Sequence, residues 1–252
     1  MSIKKKLLLW SLLPLGLLFY YFRSYLPIMF FTGKPYAEIE ATIPPDMKLR
    51  VGASYRSSAC TQITFSNFGQ IFGRQGWSKE YTPNSQGKVT AKIYRWAWGP
   101  CNWGLNAFSI STAYTKIPPN VLESKKITDE IKQEVVRRFE RRSGTDPRTA
   151  RLSFVLIDYL SKQTENDVNH VSLHTTLTPS ISKLTAVRGR IDYDFFYDDK
   201  KRTPEKFTAI NNLPRSRKGE SLKIKYQVST EDHILYKEYY PDFKKNTSRL
   251  LE

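Results

Sequence analysis

The sequence predicts a mainly β protein: an antiparallel β-sandwich or half-barrel with one amphipathic basic helix, preceded by an N-terminal transmembrane helix. Three observations predict this fold class. An uncharged apolar run extends from Leu7 to Phe22, period-two alternation of apolar and polar residues recurs after residue 36, and turn sequences separate the alternating segments at short intervals. Short connections are typical of antiparallel sheets.

The N-terminal run is predicted to span a membrane. Three lysines (Lys4, Lys5 and Lys6) precede it, no acid occurs in the first 35 residues, and apolar residues continue past Arg23 to Phe31. About 20 apolar residues are needed to cross a bilayer as a helix, and basic residues favour the cytoplasmic side. The predicted organisation is a cytoplasmic tip (residues 1–6), a signal anchor (7–31) and an extracytoplasmic domain (36–252). We therefore expect a single-pass inner-membrane protein with its C-terminal domain in the periplasm.

A cleaved secretory signal peptide is the alternative for this segment, because it has the same basic start. Such peptides need small residues at the cleavage site. Here aromatic residues and Arg23 follow the apolar run, and the first alanine-rich spacing, from Ala37 to Ala41, comes late and contains two glutamates. We therefore predict that the segment is retained.

The predicted extracytoplasmic domain is strongly basic. The chain has 40 Lys and Arg against 24 Asp and Glu, a formal net charge of +16. Five of these cations and none of the acids lie in residues 1–35, which leaves +11 for the domain. This charge favours an acidic protein partner or an anionic envelope polymer, and a merely solvated basic surface is the alternative. The predicted compartment disfavours nucleic acid as a partner.

The only two cysteines, Cys60 and Cys101, both lie in this domain. Disulfides form in oxidising compartments such as the periplasm, so we predict that the two are linked. Two buried thiols are the alternative. Without a neighbouring histidine the pair does not make a zinc site, and no metal or other cofactor is predicted.

Alternation predicts strands along most of the domain, with turns such as residues 82–87 between them. Residues 148–161 are ambiguous, because Asp146-Pro147 could begin a helix, but their apolar run favours a buried strand. The predicted strands cover residues 37–43, 47–55, 63–68, 89–98, 108–114, 148–161, 171–197, 221–227 and 234–240.

One segment predicts a helix, since Ile127, Ile131, Val135 and Phe139 recur at four-residue spacing. Thr128 can cap it, acids follow in the first turn, and Gly144 can end it. Its last turns carry four arginines, more than the helix dipole requires, which predicts a basic partner-facing patch. The alternative is that Glu134 and Glu140 neutralise part of the charge. The patch consists of Arg137, Arg138, Arg141 and Arg142.

Aromatic residues concentrate between positions 77 and 103, around the predicted disulfide. Tyr94, Trp96 and Trp98 share one face of a predicted strand, so we expect them to belong to the core. Otherwise the tryptophans form an exposed platform for a sugar polymer or a protein. The candidate platform consists of Trp77, Trp96, Trp98 and Trp103.

Candidates for chemistry are few, and the sequence lacks the common nucleophile, phosphate-loop and zinc-helix motifs. The His-x-Ser/Thr-Leu pattern, at His170 and again at His174, resembles the core motif of two-histidine phosphoesterases, but there the two motifs come from separate halves of the fold. On one strand these histidines stand about 13 Å apart, too far to share a metal. Asp192 and Asp194 form an Asp-x-Asp that could bind a divalent cation. With Asp198 and Asp199 they more simply form the solvated side of a strand.

These observations predict a non-enzymatic binding protein held at a membrane surface. It would capture an acidic protein partner or an anionic envelope component, and an immunity protein against a toxin delivered to the periplasm is one concrete form. An envelope assembly or scaffold subunit is the alternative. A hydrolase or phosphoesterase that acts on an envelope substrate is a third reading, and it would need His170, His174 or Asp192.

Overall fold

The structure is a computed structural model, and it describes residues 14–20, 22–64, 69–142, 151–157, 170–185, 191–198, 212–214, 221–242 and 245–251. Helix α1 covers residues 14–20, a 3-10 turn covers Arg23–Tyr25, and two further helices are α2 (Pro119–Glu123) and α3 (Asp129–Arg142). The strands are β1 (Phe30–Thr42), β2 (Met47–Thr64), β3 (Gly69–Tyr81), β4 (Lys88–Trp98), β5 (Trp103–Tyr114), β6 (Arg151–Ile157), β7 (His170–Thr185), β8 (Ile191–Asp198), β9 (Asn212–Pro214), β10 (Leu222–Thr230), β11 (Ile234–Tyr239) and β12 (Thr247–Leu251). The prediction of a mainly β fold is confirmed.

The strands form one large sheet whose central path runs β12-β11-β7-β10-β1-β4-β5-β2-β3. The sequence predicted an antiparallel sheet, but the observed sheet also contains parallel pairs. β1 pairs with β10, β10 and β11 pair with β7, and β6 pairs with β9, all in parallel. Four residues separate β2 from β3 in the sequence, a short connection that favours antiparallel pairing, but sequence proximity does not constrain strands that meet across long stretches of chain. The sheet is therefore mixed.

The larger of two cores lies between two halves of this sheet. β4 and β5 pair only at Trp96–Gly104 and Ala97–Trp103, so the halves separate beyond that corner. Apolar side chains from both halves fill the space, and the rings of Tyr36 and Phe108 meet across it with centroids 6.3 Å apart. The fully buried members include Ile39, Leu49, Ile93, Ile110 and Phe154. The alternating residues of the strands thus point into one shared interior.

The predicted helix is confirmed as α3, and it packs on the sheet to form a second core. Val135 is fully buried, Ile127 just before the helix is buried, and Ile131 and Phe139 are partly buried against the same cluster. Ile181 of β7 and Ile234 of β11 contribute from the sheet side. The apolar stripe read from the sequence is the docked face of the helix. Gly144, the predicted stop, lies outside the described residues.

The N-terminal segment is described from residue 14 onward, and the predicted cytoplasmic tip lies outside the described residues. No helix in the described part of the chain is long and apolar enough to cross a membrane. The helical span predicted up to Phe31 is wrong at its C-terminal end. Phe30 and Phe31 belong to β1, because they pair with the last two residues of β4.

Candidate functional site

The disulfide between Cys60 and Cys101 is present, as predicted, with Cα atoms 5.6 Å apart. Its position depends on an irregularity in β2, where the register with β3 shifts between Ser57 and Thr61. The extra residues bulge out of the strand and carry Cys60 toward the β4–β5 turn. The Ser57 hydroxyl accepts from Ala59 N–H at 3.1 Å and donates to the Cys101 carbonyl, which ties the bulge to the turn.

The four tryptophans of the predicted platform do not form one surface. Trp103 is fully buried, and its indole packs closely on two glycines. A Cβ at Gly73 or Gly99 would stand 3.2 Å from the Trp103 ring, so both positions must stay small. Trp77 is half-buried beside the core, edge-on to Phe31 at 5.2 Å. These two tryptophans are therefore structural.

Trp96 and Trp98, by contrast, are 48% and 47% exposed, which corrects the expectation that they belong to the core. They occupy alternating exposed positions of β4, whereas Ala97 between them faces inward. Trp98 stacks on Phe30 of β1, with ring centroids 4.8 Å apart and planes 14° from parallel. Trp96 lies over Gly104 of β5, where an added Cβ would stand 3.0 Å from the indole.

Tyr94, which the sequence grouped with these tryptophans, is half-buried and behaves differently. It stacks on Phe31 at 5.4 Å, and Phe31 also contacts the Tyr55 ring at 5.8 Å. The Tyr55 hydroxyl donates to the Tyr94 carbonyl at 2.9 Å. Burial raises the pKa of Tyr55, so this donor stays protonated at physiological pH.

Cations accompany the exposed rings. The Arg95 guanidinium lies 5.3 Å from the Trp96 ring centroid, and the Arg56 guanidinium lies 4.4 Å from the Phe72 ring centroid. Arg56 is the register partner of Gly104, which in turn pairs with Trp96. We call the surface formed by Phe30, Phe72, Trp96, Trp98, Arg56 and Arg95 the aromatic end.

The chain enters the domain at the aromatic end through a segment with many hydrogen bonds. Gln75 donates to the carbonyls of Ser24 and Leu26, both at 3.2 Å, and Gln62 donates to the Ser24 carbonyl at 2.9 Å. Arg23 donates to the Ala59 carbonyl at 3.0 Å, and its own carbonyl oxygen lies 3.5 Å from Cys101 Sγ. The connection between α1 and β1 is therefore fixed to the β2–β3 hairpin.

A second exposed surface, which the sequence analysis missed, lies on the outer side of β1, β4 and β10. Four lysines stand on alternating positions of β4 and β10, and β1 between these strands contributes two acids, Glu38 and Glu40. The lysines are Lys88, Lys92, Lys223 and Lys225, and we call this surface the lysine face. The alternation of Lys223 and Lys225 with apolar residues was visible in the sequence, but the pairing of β10 with β1 was not.

Charges on the lysine face are only partly neutralised. The Lys223 ammonium lies 2.5 Å from the Glu38 carboxylate, and this hydrogen bond lowers the pKa of Glu38. Lys92 is the register partner of Glu38 on the other side and adds to that shift. Within the described residues, Lys88, Lys92 and Lys225 make no ion pair. The face is therefore electropositive.

The basic patch predicted on α3 is partly neutralised within the helix. Glu134 pairs with Arg137 at 2.5 Å and with Arg138 at 3.0 Å. The hydrogen bond from Arg138, supported by Arg137, lowers the pKa of Glu134. Arg141 is exposed and makes no ion pair with the described residues, and no side-chain position is described for Arg142. Glu134 therefore neutralises part of this patch, whereas Arg141 keeps an exposed charge without an ion pair to the described residues.

The candidate histidines border the lysine face, because His170 of β7 is the register partner of Lys223. His170 and His174 are exposed on β7, as the spacing predicted, and His174 Nε2 lies 3.2 Å from the Ser229 hydroxyl. Asp192 and Asp194 lie on β8 and pair with Leu184 and Ser182, and Asp199 lies outside the described residues. Among the residues that the structure describes, no group of three His, Cys, Asp or Glu could hold a metal ion.

No protein-family model, curated protein or solved structure matches this chain.

Proposed function

We propose that this chain is a membrane-tethered extracytoplasmic binding protein that captures an acidic partner on its lysine face. The observation that carries the proposal is the excess of cations on that face: four lysines stand beside two glutamates, of which only Glu38 is held in an ion pair among the described residues. A surface of one sign raises the rate at which an oppositely charged partner is captured.

The N-terminal segment supports the tether. Every described side chain of α1 is exposed, including Leu15, Leu17, Leu18 and Phe19, each about 60% exposed or more. A helix that is apolar on all sides and covered by nothing in its own fold requires a lipid or protein environment. The lysines before it favour a cytoplasmic N-terminus, and the disulfide supports an oxidising compartment for the domain.

An immunity protein that neutralises a toxin in the periplasm is one specific form of this function. Such a protein needs a rigid domain, charge complementarity to its target and confinement to the membrane where the toxin acts. The disulfide-closed β domain and the electropositive face meet the first two needs. The exposed apolar α1 meets the third.

The test measures association with poly-L-glutamate, used as an acidic probe, by the full chain in nanodiscs of zwitterionic lipid. The double variant Lys92→Glu/Lys225→Glu should slow association at least about tenfold at low salt, with a smaller effect at high salt, because the face loses its excess charge. Lys125→Glu/Lys126→Glu, in the exposed turn before α3, is the matched control with the same change in net charge. It should have a weaker effect.

Equal slowing by both double variants would show that net charge alone binds the probe and that the lysine face is not a site. Unchanged thermal unfolding of both variants confirms that folding is intact. The tether is tested separately by alkaline extraction of membranes, which should leave the full chain in the membrane fraction.

A further inference from the structure

The described residues of three segments meet at the aromatic end: 20 with 22–34, 56–64 with 69–74, and 94–105. Met29 N–H donates to the Trp98 carbonyl at 3.0 Å, and the Cys60–Cys101 disulfide joins the second segment to the third. Arg23 joins the first segment to the second through its bond to Ala59. These contacts make the aromatic end a continuous surface around the point where α1 leaves the domain.

Exposed apolar side chains are concentrated here. Beyond α1, eleven large apolar side chains are exposed among the described residues, and eight of them belong to these three segments. The eight are Phe22, Tyr25, Met29, Phe30, Ile71, Phe72, Trp96 and Trp98. Isolated exposed apolar residues are normal on soluble proteins, whereas a concentration of this kind marks a contact surface.

The charge of the same segments has one sign. They contain five cations, Arg23, Lys34, Arg56, Arg74 and Arg95, and no aspartate or glutamate. Amphipathic rings such as those of Trp and Tyr, and arginine side chains beside them, favour the boundary between the headgroups and the acyl chains of a bilayer. Anionic headgroups attract such cations.

The direction of this surface is fixed by the entry segment. Hydrogen bonds from Gln62, Gln75 and Arg23 hold the described residues between α1 and β1 against the β2–β3 hairpin. These residues therefore do not act as a free linker about which the domain could rotate away from α1. The Arg23 guanidinium also lies 4.0 Å from the Tyr20 ring centroid, at the end of α1. Whatever surrounds α1 therefore lies next to the aromatic end.

We infer that the aromatic end rests on the bilayer surface, with its rings at the level of the acyl-chain boundary and its arginines on anionic lipid headgroups. This inference rests on the proposed tether and adds a second, peripheral attachment that orients the domain. A lipid surface fits better than a protein partner, because the rings continue the exposed apolar surface of α1 and the three segments that carry them contain five cations and no acid.

The experiment uses the full chain in vesicles that contain phosphatidylglycerol and lipids brominated near the headgroup end of the acyl chain. Trp10→Phe removes the tryptophan of the apolar run, and this variant is compared with Trp10→Phe/Trp96→Phe/Trp98→Phe. Bromine should quench the first variant strongly, and most of the quenching should be lost in the second, because Trp77 and Trp103 lie in the interior. In vesicles of phosphatidylcholine alone the quenching should be weaker, since the anionic headgroups are missing.

Two results would overturn the inference, and they differ in what else they overturn. If Trp96 and Trp98 of a vesicle-bound chain are not quenched by bromine but are quenched by acrylamide in the aqueous phase, the docking alone is overturned. The aromatic end would then be a surface for a protein partner. A chain that separates from the vesicles on flotation overturns the tether and the docking together. Circular dichroism spectra that match between the variants would confirm that the tryptophan changes leave the fold intact.

Discussion

Strand β4 crosses both exposed surfaces, and its two ends differ sharply. Its outer positions carry Lys88 and Lys92 at one end and Trp96 and Trp98 at the other. Four of its inner positions, Val89, Ala91, Ile93 and Ala97, are small or aliphatic and belong to one core, and only the fifth, Arg95, is charged and partly exposed. The core therefore does not explain the change on the outside. We infer that the outer side of one strand meets two environments, water and a binding partner at the lysine face and lipid at the aromatic end.

The largest effect is expected where the aromatic end meets the core. Trp103→Ala should lower the free energy of unfolding by about 3–5 kcal/mol, because a fully buried indole leaves a cavity between two glycines. Trp98→Ala, at an exposed position of the same end, should change it by less than about 1 kcal/mol in detergent solution. Denaturant unfolding followed by circular dichroism measures both. Similar losses in the two variants would contradict the division into buried and exposed tryptophans.

Removal of the disulfide should have the next largest effect. The bond closes a loop of 41 residues, so Cys60→Ser/Cys101→Ser should cost up to about 4 kcal/mol through the larger entropy of the unfolded chain. Bromine quenching of Trp96 and Trp98 should also weaken, since the bulge and the β4–β5 turn lose their link. The same denaturation experiment and the vesicle assay measure the two effects. Unchanged stability in the oxidised and reduced wild-type protein would contradict this prediction.

Two single charge reversals should separate the surfaces from each other. Arg74→Glu at the aromatic end should increase the undocked fraction on anionic vesicles at least about fivefold, because one attraction becomes a repulsion. Lys92→Glu on the lysine face should leave docking unchanged and slow the association with poly-L-glutamate. Both residues are exposed on strands and undergo the same change in charge. If each variant impaired both assays equally, the two surfaces would not be distinct.

The smallest expected effect is on the stability of the fold at acidic pH. The Lys223 hydrogen bond lowers the pKa of Glu38 in the folded state, so the carboxylate stabilises the fold above its unfolded-state pKa of about 4.5. That contribution is lost as the pH falls through the lower, folded-state pKa. Because the pair is partly exposed, it should be worth less than about 1 kcal/mol. Glu38→Gln should slightly flatten the loss of stability below about pH 5, and Trp98→Phe should leave it unchanged.

Local patterns in the sequence predicted much of the fold. Alternation predicted strands at 37–43, 47–55, 89–98 and 108–114, which correspond to parts of β1, β2, β4 and β5, but it missed β3 (Gly69–Tyr81). The four-residue spacing of Ile127, Ile131 and Val135 predicted α3, and the cysteine count with the predicted compartment predicted the disulfide. Each of these depends on residues that are close in sequence or on a choice between very few partners. The parallel pairing of β1 with β10 depends on contacts about 185 residues apart, and no local pattern specifies them.

Local patterns in the sequence also fail to specify the contacts that form the candidate site. Alternation places Trp96 and Trp98 on one side of β4, but it does not say which side faces the core, because aromatic and aliphatic residues fit equally well inside. The inner side of β4 packs into a core to which other strands contribute, such as Ile39 of β1 and Phe154 of β6, and that packing depends on contacts far apart in sequence. Likewise, the lysines of the lysine face come from separate strands, and only the order β10-β1-β4 in the sheet places them on one surface.

The position of β1 determines how the domain would respond to mechanical load. β1 follows directly after the entry segment and pairs on one side with β4 and on the other with β10. A force applied along the N-terminus would first strain the bonds of Gln62 and Gln75 and would then pull β1 lengthwise between two neighbours. Ladders loaded in this way must shear many hydrogen bonds at once, whereas an edge strand can be peeled off one bond at a time. The strand nearest the predicted membrane is therefore the one best placed to resist being pulled out.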